Sequence, residues 1–110
     1  MAERRYVLAP EAQAELDEII AFIDRRSGSM RAEGVLYRIK DKFSLLATRP
    51  GIGRLQANLD GEPLQHSIPP WIVLYEINSD KSGIRVLRFY DGRRDLKKLL
   101  RDYRRPANKS

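Results

Sequence analysis

The sequence predicts an α+β domain: a helical hairpin packed on one face of a small, mainly antiparallel sheet, in the order β-α-α-β-β-β with a basic C-terminal helix. Three observations carry this reading. Apolar residues recur at helical spacing from Pro10 to Ala47, then change to strand-like runs after Pro50. Beyond Tyr90 the chain turns into a segment dense in arginine and lysine.

The first element is a strand over residues 4–9, "RRYVLA", aromatic and β-branched and closed by Pro10. Pro10 opens a helix, where its missing N–H costs nothing. Glu11, Glu15, Asp17 and Glu18 follow near the positive end of the helix dipole. Ala12, Leu16, Ile19, Ile20 and Ile23 share one face, and "RRSG" (25–28) stops the helix with basic residues and a glycine. A second helix is expected from about Ala32 to Ala47, its stripe formed by Ala32, Leu36, Ile39, Phe43 and Leu46. Pro50 and Gly51 end it, and the short turn between the helices makes them an antiparallel hairpin.

Residues 51–63 read as a long connection. "LQHSI" (64–68) is a short strand stopped by Pro69 and Pro70, and "WIVLYEI" (71–77) is the most apolar segment and the central strand. "NSDKSG" (78–83) supplies turn-formers for a hairpin loop, and "IRVLRFY" (84–90) is the last strand. The sheet should therefore have about four strands. Strict alternation would point Ile84, Val86, Arg88 and Tyr90 one way, and Arg85, Leu87 and Phe89 the other. Each side then mixes apolar residues with an arginine, so the face away from the helices reads as an open binding surface. "RRDLKKLLRDYRR" is helical in pattern, with Leu96, Leu99 and Leu100 on one side. The whole of 1–110 reads as one domain, with about 101–110 a basic, frayed tail.

Charge is distributed unevenly. Between Arg85 and Arg105 lie nine basic and three acidic residues, and that excess equals the net +6 of the whole chain. A pI near 9.9 favours an acidic partner: nucleic acid, an anionic surface or an acidic protein. The other reading is a solvated basic face with no specific ligand. No cysteine is present, which excludes disulfides and thiolate metal sites. There is neither a signal-like apolar run nor the ~20 apolar residues that cross a bilayer, so a cytoplasmic protein without membrane attachment is expected.

Taken in order, "YVLAPEAQAELDEIIAFI", "LATRPGIGR", "IVLYEI" and "IRVLRFYDGRRDLKKLL" resemble the ParE/RelE toxin superfamily of type II toxin–antitoxin systems. "RPGIGR" and "GRRDLKKLL" are most similar to the ParE branch. The likeness departs at Asp91, where a histidine would precede the glycine, and at Glu76, where a basic residue is common. It implies a toxin that poisons DNA gyrase by binding, without catalysis or cofactor, and that a ParD-like antitoxin neutralises. On that basis Arg88, Tyr90, Arg93, Arg94, Lys97 and Lys98 are candidates for target binding. Leu16, Ile20, Ile23, Leu36, Ile39, Trp71 and Val73 are candidates for antitoxin binding. No metal site is expected.

The RelE branch implies an alternative, ribosome-dependent cleavage of mRNA. Such a nuclease must activate a 2′-hydroxyl, stabilise a phosphorane and protonate a leaving oxygen. Arg54, Arg88 and Tyr90 would form that set. Residues 51–63, where RelE-like enzymes spread basic residues, carry only Arg54, so the constellation is incomplete. His66, the one histidine, has no acid–base partner nearby in sequence and reads as structural or superficial. Tyr90 also reads as a half-buried aromatic with a wet hydroxyl, Arg54 as ordinary turn chemistry, and Trp71 as core. Arg88 on a mixed sheet face must meet an anion or a carboxylate. A generic nucleic-acid-binding domain has little support, because no aromatic residues interleave with the basic ones.

Overall fold

The computed structural model describes residues 5–107. Strand β1 (Arg5–Leu8) leads into helices α1 (Pro10–Ser27) and α2 (Ser29–Thr48), followed by a short 3-10 turn (Pro50–Ile52). Strands β2 (Arg54–Leu55), β3 (Leu64–Ile68), β4 (Trp71–Ile77) and β5 (Gly83–Asp91) precede helix α3 (Leu96–Arg101). The sheet has five strands in the order β1-β5-β4-β3-β2. β1 lies parallel to β5, and every other pair is antiparallel. The α+β class and the hairpin on one sheet face agree with the sequence.

Several details differ from expectation. The second helix begins at Ser29 because the turn is a single residue, Gly28, whose φ of 91° lies where L side chains are strained. The expected connection 51–63 contains β2, a two-residue strand too short to show a period. Gly53 lets this loop pass against β4, because a Cβ there would overlap the Tyr75 hydroxyl. That hydroxyl donates to the Pro50 carbonyl at 2.6 Å. Of the first strand, Arg4 lies outside the described residues.

A first core fills the space between the hairpin and the sheet. Ala12, Leu16, Ile39, Phe43 and Leu46 from the helices meet Val73, Tyr75, Ile84, Val86 and Phe89. Tilted aromatic contacts link Tyr6 to Phe43 and Phe43 to Phe89, with centroids 5.3 and 5.8 Å apart. The predicted alternation along β5 fails in its second half. Leu74 pairs with Arg88 but Tyr75 pairs with Val86, so Leu87 is an extra residue in β5. This bulge turns Phe89 toward the helices and Tyr90 away from them.

The opposite sheet face is covered, which corrects the expectation of an open surface. Leu74, Leu87, Tyr90 and Tyr103 form a second buried cluster, lined by Leu59, Ile72, Leu96, Leu99 and Leu100. The C-terminal segment supplies the cover, and it is not frayed through residue 107. Tyr103 is 2% exposed, and Pro106 is also buried. Residues 108–110 of the expected tail lie outside the described residues. Among the described residues no helix is long and apolar enough to cross a membrane.

Candidate target-binding surface and partner cleft

Helix α3 is short and depends on its surroundings. Asp95 caps it by accepting the Lys98 N–H on its side chain, and Leu96, Leu99 and Leu100 bind its inner side to the second cluster. Arg93, Arg94, Lys97 and Lys98 are consequently exposed. Lys97 and Arg101 border a cleft of about 760 Å³ toward Gln56, Asp60 and Gln65. Arg94 and Lys98 border one of about 360 Å³ toward Arg88 and Tyr90. The preceding turn is stiffened by Asp91, which accepts from the Arg93 backbone N–H and from its Nε and Nη2. Those bonds hold the Asp91 carboxyl down to about 2.

Arg88 does meet a carboxylate, and it is Glu15 of α1. Arg88 Nε and Nη2 approach Glu15 Oε2 at 2.8 and 2.7 Å, while Glu15 Oε1 accepts the Phe89 N–H at 2.9 Å. Glu15 therefore caps β5 next to the end of β1, a tertiary role in place of the expected dipole role. The bond to Glu15 raises the Arg88 pKa. The Arg88 guanidinium also lies over the Tyr90 ring, 5.1 Å from its centroid. Tyr90 is 7% exposed, and burial pushes its hydroxyl pKa up.

Arg88 and Tyr90 are neighbours, but Arg54 does not join them. Register links Arg54 to Gln65, Gln65 to Leu74 and Leu74 to Arg88. Three strand spacings separate the two arginines by ~14 Å. His66 pairs with Val73 across β3 and β4, on the helix-facing side. Burial and then Lys42 lower its pKa, which favours a neutral ring. Of the residues expected of a nuclease, Arg88 and Tyr90 thus lie together and Arg54 lies apart.

The partner candidates separate in the same way. Leu16, Ile20 and Leu36 line a cleft of about 720 Å³ between α1 and α2, floored by Tyr6, Leu8 and Phe43. Asp17, Asp24, Glu33 and Lys40 also line it. Ile39 and Val73 are wholly buried in the first core, so they offer no surface to a partner. Their helical and strand periods mark a face that packs inward. Ile23 is half-buried outside the cleft lining, and Trp71 is half-buried against the first core.

Comparison with known proteins decides the family. The family model for the ParE toxin of type II toxin–antitoxin systems, parDE, matches residues 6–96. The chain belongs to this family. It is similar to Toxin ParE3 of Caulobacter vibrioides, with 29% identity over 92 residues that span 84% of this chain and 90% of that protein. The family match ends at the first residue of α3, so Lys97, Lys98 and the C-terminal cover of this ParE-family toxin lie beyond it.

Sequence reasoning missed three residues that shape the surface: Glu15, Glu76 and Tyr103. Glu15 bonds Arg88 at a separation of 73 residues, and Glu76 bonds Arg105 at 29. No local pattern reports such pairs. Tyr103 left a signal, as an aromatic residue inside an otherwise charged run.

Proposed function

We propose that this ParE-family toxin acts in the cytoplasm by binding DNA gyrase through the basic surface of α3 and the turn before it. A ParD-like antitoxin neutralises it by laying an apolar segment into the cleft between α1 and α2. Family membership supports the pairing of toxin with antitoxin. The observation that carries the target assignment is the exposure of Arg93, Arg94, Lys97 and Lys98 on an element whose apolar side is anchored. Exposed charges of this kind contribute little to stability, ~0–1 kcal/mol per surface pair, yet they steer encounters with acidic partners. A gyrase trapped on DNA is such a partner. The cleft supports the antitoxin assignment because Leu16 and Ile20, one turn apart on α1, line it together with Leu36 of α2, an apolar groove suited to an amphipathic helix.

The test is a supercoiling and DNA-cleavage assay with purified gyrase. The proposal expects loss of supercoiling and accumulation of cleaved plasmid. It is refuted if gyrase is unaffected and the toxin instead cleaves mRNA on translating ribosomes. In cells the corresponding contrast is DNA-damage signalling with filamentation against arrest of translation.

A further inference from the structure

Glu76 and Arg85 stand opposite each other on β4 and β5. Alternation along β4 places Glu76 on the same face as Ile72 and Leu74, which pack in and against the second cluster. The side chain of Glu76 is 19% exposed and that of Arg85 10%. A carboxylate so shielded from water needs cations beside it. Arg105 donates from Nε to Oε1 at 2.8 Å and from Nη2 to Oε2 at 2.9 Å, and Arg85 Nη1 lies 3.3 Å from Oε2.

These groups fasten the end of the chain. Arg85 Nη2 donates to the Ala107 carbonyl at 2.6 Å, and the Arg105 N–H donates to Asp60 at 2.7 Å. Residues 102–107 thus form a strap, pinned to two adjacent strands and to the loop before β3. Tyr103 sits between those pins and α3, with its ring in the second cluster and its hydroxyl without a hydrogen-bond partner among the described residues. Among the described residues no polar bond from that side chain helps retain it, so its seat rests on packing and on the pins.

We infer that Glu76 is a positioning residue for the basic surface. It fixes the strap to the sheet, the strap seats Tyr103, and the seated strap holds α3 with its basic residues outward. The consequence for toxicity rests on the reading of that surface as the target-binding one. Charge makes the role of Glu76 distinct from that of its partner. Removing Arg105 leaves Glu76 still bonded to Arg85. Removing the Glu76 charge leaves two guanidinium groups facing each other at a shielded spot, and an unpaired buried charge is more damaging than a missing pair. Deleting both Glu76 and Arg105 charges removes that repulsion.

The test is amide hydrogen exchange in the full chain, read at Tyr103 and Arg105, whose N–H groups bond the Leu100 carbonyl and Asp60. Glu76→Gln should speed exchange at both amides by about tenfold or more, with β4 and β5 still protected. Arg105→Gln should speed it less, and Glu76→Gln with Arg105→Gln should be slower to exchange than Glu76→Gln alone. Growth inhibition on induction should fall in the same order. Exchange unchanged by Glu76→Gln, or raised more by Arg105→Gln, would overturn the inference. Faster exchange in the expected order with undiminished growth inhibition would uphold the positioning role and overturn the reading of that surface as the target-binding one. Should Glu76→Gln unfold the whole domain, the double variant must regain the fold, and its failure to do so would also overturn the inference. The exchange order does not depend on the target. Gyrase left unaffected by the wild-type toxin would count against the proposed function and leave that order standing.

Discussion

Truncating Tyr103 separates the packing of its ring from the burden of its hydroxyl. The residue is 2% exposed and touches Leu74, Leu87 and Tyr90 in the second cluster, so Tyr103→Ala empties a full aromatic site. Large-to-small aromatic changes in cores cost ~3–5 kcal/mol, a large part of the ~5–15 kcal/mol available to a domain. At roughly 4–8 °C per kcal/mol for a domain near this size, Tm should fall by more than ~10 °C. Tyr103→Phe keeps the ring and removes a buried hydroxyl that has no hydrogen-bond partner among the described residues. A buried unsatisfied polar group costs ~1–3 kcal/mol, so this variant should melt at the wild-type temperature or up to several degrees higher. Thermal melts by circular dichroism measure both, and growth inhibition should survive in Tyr103→Phe and fail in Tyr103→Ala. A Phe variant that loses as much stability as the Ala variant would show instead that the hydroxyl makes a bond essential to the fold.

The same residue gives a pH dependence. Burial pushes the Tyr103 hydroxyl up to about 12, above its ordinary 10.0. A raised folded-state pKa means that stability is fully present below pH 10 and is lost as pH rises toward 12. Denaturant midpoints should therefore decline across that window in the wild type and decline less in Tyr103→Phe; equal slopes would contradict this. Glu15→Gln removes the charge that holds Arg88 and should cost ~1.5–3 kcal/mol, seen as a lower urea midpoint with unchanged slope. An unchanged midpoint would show that the bond contributes nothing net. Ile20→Arg puts a charge into the cleft between the helices while leaving α3 untouched, so the variant should stay toxic but escape its antitoxin. Retained neutralisation on co-expression would remove the cleft from the proposal.

The helical hairpin was legible because Pro10, Gly28 and Pro50 mark its ends and its apolar residues keep the helical period. The faces of β5 were legible only up to Leu87. The bulge at Leu87 has no glycine or proline to announce it, so alternation sent Phe89 and Tyr90 to the wrong sides. The same limit hid the second core. Arg85 and Arg88 read as signs of an open surface because their carboxylates, Glu76 and Glu15, arrive from 9 and 73 residues away. The basic segment was visible by composition alone, but its division into a cation-bearing α3 and a strap that buries Tyr103 and Pro106 was not. Only tertiary packing decides which of its residues turn inward. Among the antitoxin candidates, periodicity identified a buried stripe, and it could not tell the cleft-lining Ile20 and Leu36 from the sealed Ile39.

In the proposed function the exposed cations of α3 and its turn engage gyrase. The most direct measurement compares gyrase-mediated plasmid cleavage by the wild-type toxin and by a variant with Arg93, Arg94, Lys97 and Lys98 replaced by glutamine. Because these residues are exposed, the variant should melt within about 3 °C of the wild type, the shift expected of changes within ~0.5 kcal/mol. The wild type should trap cleaved DNA, less so as salt is raised, and the variant should trap little at any salt concentration. A folded variant that traps as much cleaved DNA as the wild type would contradict the account.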